Sequence, residues 1–118
     1  MIRLNSSEAR KLGLTSKGGP KRGMNKWEAE FDEKCRCDFF NNNILWWGYE
    51  QIKFRLADAT FYTPDFVVIG LNWRMRAIEI KGFLRDDAAV KFKVAKERFP
   101  WVEFEMVRKV KGAWERIR

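Results

Sequence analysis

Histidine is absent from the 118 residues, and cysteine occurs only twice, as Cys35 and Cys37. Two positions apart on an expected helix, the thiols point to different sides, and with no histidine to complete a ligand set a zinc centre is excluded. A reduced, intracellular chain is the expectation. No apolar run approaches the length of a membrane span, and the start Met1-Ile2-Arg3-Leu4-Asn5 has no signal-peptide core, so a soluble, cytoplasmic protein without membrane contact is expected. Internal repeats are lacking too, and the length leaves room for one core but not for two.

What is abundant is basic charge, 24 Lys and Arg against 16 Asp and Glu, for a net +8. It is unevenly spread. Residues 1 to 23 carry six basic and one acidic side chain, residues 108 to 118 carry five and one, and the stretch between is close to neutral. Basic ends attract a polyanion by releasing its counterions, and a phosphate backbone is the commonest such partner; a merely solubilising role is the competing reading. Residues 1 to 23, with Ser6-Ser7, Gly13 and Gly18-Gly19-Pro20, hold too few large apolar groups to bury a face. They are expected to be a flexible basic arm, with Lys21 and Arg22 as nucleic-acid contacts, preceding a domain over residues 24 to 118.

The domain opens with Asn25 as a helix cap, followed by Trp27, Phe31 and Cys35 at i, i+4 and i+8. Glu28 falls inside that apolar stripe, whereas Glu30 and Glu33 fall outside it and read as solvated. A carboxylate edging a core-facing stripe is costly without a partner, which is either a structural Arg or Lys or a metal and its bound water. Asn41-Asn42-Asn43 ends the helix. Ile44 to Leu56 reads as a first strand, with Lys53 and Arg55 sharing a face apart from Glu50. Trp46 and Trp47 are core or a nucleobase-stacking platform, with core favoured for at least one.

Phe61 to Ile69 and Arg74 to Lys81, separated by Gly70-Leu71-Asn72-Trp73, read as a β-hairpin. If Gly70 opposes Arg74, Asp65 lies directly across from Glu79, while Glu79 and Lys81 share one face and Ile78 and Ile80 the other. Opposed carboxylates repel unless something positive sits between them, and oxygen-only ligands with room for water suit Mg²⁺ or Mn²⁺. The bland reading is a turn proline followed by an exposed ion pair. After Gly82, the acids Asp86 and Asp87 start a helix with an apolar stripe of Ala88, Phe92, Ala95 and Phe99, which packs on the sheet. Lys91 lies at the stripe's margin, suited equally to phosphate contact and to solvation. Trp101 to Val107 then forms a strand reached by a β-α-β crossover, and Ala113 to Ile117 adds an edge strand.

The runs Asn25-Lys26-Trp27-Glu28, Phe54-Arg55-Leu56-Ala57, Tyr62-Thr63-Pro64-Asp65-Phe66, Glu79-Ile80-Lys81-Gly82-Phe83 and Arg85-Asp86-Asp87, with Lys91, resemble the PD-(D/E)XK nuclease superfamily. More narrowly they resemble a family of small phage and prophage proteins in it, over residues 24 to about 107. The resemblance implies a mixed α/β (α+β) fold with a restriction-endonuclease-like αβββαβ core, its sheet flanked by helices. It implies a metal-dependent endonuclease acting on DNA in the bacterial host's cytoplasm and leaving a 5′-phosphate. By position, Asp65 and Glu79 become Mg²⁺ or Mn²⁺ ligands with the Ile80 carbonyl, Lys81 the residue that positions or activates the attacking water, and Glu28 the accessory helix acid. Lys53, Arg55, Arg85 and Lys91 are the expected contacts to nucleic acid. The superfamily also contains inactive members, so a non-catalytic nucleic-acid-binding protein with a vestigial site is the alternative. One such site cuts one strand, so a homodimer is expected, with Val90 and Val94 on the last helix either at its contact or under the basic tail.

Overall fold

A computed structural model of the chain describes residues 23–80 and 86–118. Helix α1 (Lys26–Phe40) starts at Asn25, whose side chain accepts from the Glu28 amide while Glu28 accepts from the Asn25 amide, a reciprocal cap. Its buried stripe is Phe31, Cys35 and Phe39. Trp27 was expected to head the stripe, but it sits in the first turn, ahead of the part of the helix that covers the core, and is 37% exposed. Glu30, expected to be solvated, instead forms an ion pair with Lys109 at 2.6 Å, tying α1 to the sheet face it covers.

Strands β1 (Ile44–Tyr49), β2 (Phe54–Ala57), β3 (Thr60–Tyr62), β4 (Phe66–Gly70) and β5 (Met75–Ile80) follow, then helix α2 (Asp86–Arg98), β6 (Glu103–Val110) and β7 (Ala113–Arg116). The main sheet has the order β1-β4-β5-β6-β7, and β2 and β3 form a separate two-stranded ribbon. The fold is α+β with a mixed sheet, antiparallel except where β5 and β6 run parallel through the α2 crossover. In both places where a single strand was expected, two are found. Pro64 cannot donate to a ladder and separates β3 from β4. Between β1 and β2, Glu50 adopts a left-handed backbone (φ 50°) and breaks the run. Gly48 has no room for a side chain, because a Cβ there would lie 2.5 Å from Gln51 and 2.8 Å from the Trp46 ring.

Phe66, Val68, Ile78, Ile80 and Val107 pack with the α1 stripe on one face; Val67, Ala77, Phe104 and Met106 pack with Phe92 and Ala95 of α2, and with the ribbon, on the other. Trp47 is core, and its indole donates to the buried Asp32 at 2.9 Å. Trp46 is half-buried against the second core, as are Val94 and Ile117. Val90 stays 59% exposed.

The β4–β5 register pairs Phe66 with Ile78 and Ile69 with Met75, and the turn closes with the Gly70 amide donating to the Arg74 carbonyl. This is the register expected from the sequence. It makes the C-terminal ends of β1, β5 and β6, the N-terminal end of β4 and the start of α1 meet at one end of the sheet.

Candidate functional site

Four carboxylates come from the elements that meet there: Glu28 from α1, Glu50 after β1, Asp65 before β4 and Glu79 near the end of β5. One carboxylate oxygen from each of Glu28, Glu50 and Asp65 lies within 4.8 Å of the others. Continued by one pair, the β4–β5 register sets Asp65 opposite Glu79, and Asp65 Oδ2 accepts from the Ile80 amide at 2.8 Å. That bond takes the place of the next backbone rung and fixes the Asp65 side chain at the end of the ladder. The Glu50 amide donates to the Asp65 carbonyl at 2.9 Å, so the strained Glu50 is held against Asp65 by its own backbone.

Glu28 is buried at 8% exposure, and both its oxygens are engaged: Oε1 by the Asn25 amide at 3.0 Å, Oε2 by the Tyr49 hydroxyl at 3.3 Å. Its burial therefore has a structural cause as well as a place in the cluster. Glu79 Oε2 accepts from the Tyr62 hydroxyl at 2.8 Å. Glu79 thus leans toward Tyr62, while Asp65 leans toward Glu28 and Glu50.

Burial pushes the Asp65 carboxyl up to about 8, with the facing charge of Glu79 adding to the shift and the Ile80 amide opposing it. Glu79 is also raised, first by burial, against the Tyr62 hydroxyl, which favours its charged form. The two tyrosines, Tyr62 and Tyr49, are shifted upward by burial and by these acids.

Other buried acids make a useful contrast. Asp32, 1% exposed, is paired with Arg36 and Trp47, and Glu105, 5% exposed, holds a two-pronged bond from Arg76 at 2.6 and 3.1 Å. Among the described residues none of Glu28, Glu50, Asp65 and Glu79 forms an ion pair with Lys or Arg. Carboxylates are concentrated where no described cation offsets them, and an all-oxygen donor set of this kind fits a hard divalent cation.

Of the residues expected from the sequence, Glu28, Asp65 and Glu79 are brought to one end of the sheet, and Ile80 contributes its amide to Asp65. Lys81, Arg85, Lys21 and Arg22 lie outside the described residues. Arg55 is exposed and pairs with Asp58 at 3.5 Å, and Lys53 lies over the Phe61 ring at 4.4 Å, both on or beside the ribbon. Lys91 is half-buried on α2. Sequence reasoning missed Glu50 and Tyr62. Tyr62 stands in the same short run as Asp65, but its bond to Glu79 depends on the ribbon folding across β5.

No family model matches the chain, and neither any curated protein nor any solved structure matches it.

Proposed function

We propose that the chain is a metal-dependent endodeoxyribonuclease, hydrolysing phosphodiester bonds of DNA at the Asp65–Glu79 end of the sheet. One observation carries the reading: the buried Glu28, the half-buried Asp65 and Glu79 and the exposed Glu50 converge from four elements without a described counter-charge, whereas the buried Asp32 and Glu105 are each matched to an arginine. A bound Mg²⁺ or Mn²⁺ would polarise a phosphate oxygen and make water more acidic at neutral pH. Asp65 would hold it, with Glu28 and Glu50 as the neighbouring oxygen donors and Glu79 across the strand pair. The Ile80 amide fixes one Asp65 oxygen, and Tyr62 steadies Glu79, so both acids are presented by side chains held in place. Lys81 keeps the role suggested by the sequence, orienting the attacking water.

A binding protein with a vestigial site is the second reading, favoured by the unpaired cations on α2 and the last residues of the chain, which suffice for DNA association without catalysis. A panel of end-labelled linear, flapped and four-way DNAs, incubated with Mg²⁺, Mn²⁺ or EDTA, separates the two. Metal-dependent cuts that disappear in both Asp65→Asn and Glu79→Gln are expected. DNA left intact under every condition refutes the nuclease.

A further inference from the structure

On the α2 face of the sheet a cleft of about 410 Å³ opens between α2 and the residues after β7, lined by Ala89, Val90, Phe92, Lys93, Lys96 and Arg118. Its floor is apolar, and its charged groups are all cations. Lys96 lies 5.5 Å from the centroid of the Phe92 ring, and neither Lys93, Lys96 nor the Arg118 side chain has a carboxylate partner among the described residues. Elsewhere among the described residues Lys34, Arg36, Arg55, Arg74, Arg76, Arg108 and Lys109 are ion-paired, while Lys26, Lys53, Lys111 and Arg116 are not. The four cations of α2, Lys91, Lys93, Lys96 and Arg98, have no ion-pair partner among the described residues.

The cleft's position follows from the strand register. Glu79 pairs with Met106 of β6, and the Met106 amide donates to the Arg118 carbonyl at 3.0 Å. Arg118 therefore lies two strand spacings from Glu79, about 10 Å at roughly 4.8 Å each. Tyr62 packs edge-on against Phe92 at 6.3 Å and bonds Glu79, so the cleft floor and the carboxylates share a single aromatic neighbour.

We propose that this cleft seats the phosphodiester backbone of the DNA strand on one flank of the scissile bond, with Lys93, Lys96 and Arg118 as its phosphate contacts and Val90 as its apolar wall. The proposal rests on DNA being the substrate, but it concerns binding and holds without metal. Fluorescence anisotropy of a labelled 20-base-pair duplex, in EDTA over a range of NaCl, tests it on the full chain. Lys93→Gln/Lys96→Gln is expected to weaken binding at least tenfold and to flatten the slope of log K against log salt by about 1.8, the value for two lost phosphate contacts. Arg74→Gln/Arg98→Gln, which removes the same formal charge from residues that do not line the cleft, should change binding several-fold less. Val90→Glu alters a solvent-exposed position and should weaken binding with the fold unchanged by circular dichroism. Equal losses in the two double variants would mean bulk charge only and overturn the cleft, as would wild-type affinity in Val90→Glu. Cleft-dependent binding by a chain that never cuts would leave this proposal standing and remove the nuclease. Cleavage with binding indifferent to the cleft would do the reverse.

Discussion

Replacing Asp65 with Asn should make the metal-free protein more stable, although it removes a residue placed at the centre of the site. Asparagine keeps the volume and can still accept from the Ile80 amide, so the 2.8 Å bond that ends the β4–β5 ladder survives. What disappears is a carboxyl whose native pKa stands at about 8, against roughly 4 in the unfolded chain. Below about pH 4 it is protonated in both states and the change should be neutral. As pH rises from 4 to 8, the unfolded chain gives up the proton and the native state retains it, so wild-type stability falls by up to about 1.4 kcal/mol per pH unit. The full window sets a ceiling of about 5 kcal/mol, and because Asp65 and Glu79 share the repulsion, a gain on the order of 2–4 kcal/mol at pH 8 is expected. In a domain of this size that moves Tm by about 10 °C.

Urea denaturation in EDTA at pH 4.5 and 8 measures it directly. The two proteins should nearly coincide at the lower pH and separate at the higher. Added Mg²⁺ should then stabilise the wild type by mass action and the variant much less. A wild type whose stability is flat between the two pH values, with no gain in Asp65→Asn, would refute the claim that this carboxylate is held against its own charge.

Three further outcomes are expected. Glu28→Gln keeps an oxygen to accept from the Asn25 amide, so unfolding should shift by no more than about 0.5 kcal/mol while metal-dependent cleavage drops; equal loss in both would leave Glu28 as a helix cap alone. Removing residues 1 to 23 takes away six basic side chains and should weaken DNA binding and flatten its salt slope with the domain still folded; an unchanged slope would assign the arm another role. Sedimentation at micromolar concentration should show a homodimer, and a monomer that cuts both strands of a junction in one binding event would contradict it.

The β4–β5 hairpin was legible because Gly70-Leu71-Asn72-Trp73 sets the turn and strand alternation then fixes every pair back to Asp65 and Glu79. Glu28 stood out as an acid in an apolar stripe, but Asn25 three residues earlier was also the signature of a reciprocal cap, which explains half of its burial. Glu50 was not legible. It reaches the cluster because the chain turns left-handed there, and nothing in the run Ile44 to Leu56 signals a break except Gly48 two residues before. Pro64 did carry the signal that β3 and β4 are distinct strands, since a proline has no amide for the middle of a ladder. Once the ribbon is separate it is free to fold over the α2 face, and Tyr62 comes within reach of Glu79. That contact joins residues 17 apart through the packing of two sheets, a relation that no local pattern encodes.

The treatment of buried acids separates structure from function in this fold. Asp32 and Glu105 serve cohesion: each binds an arginine, Arg36 being shared between Asp32 and the exposed Glu33, while Arg76 would lose its two-pronged partner if Glu105 were removed. Asp65 and Glu79 receive an amide and a hydroxyl, which orient them without cancelling their charge. Orientation without neutralisation weakens the folded state, a cost that the proposed divalent cation would offset. Among the described residues the four cations of α2 and the Arg118 side chain have no carboxylate partner, which sets them apart from the paired Lys34, Arg36, Arg76 and Lys109. A polyanion drawn to the unpaired cations would approach the acids from the α2 side, and the metal would then answer both the acids and the phosphate. Metal and DNA should therefore bind with positive coupling, each lowering the cost of placing the other beside like charge.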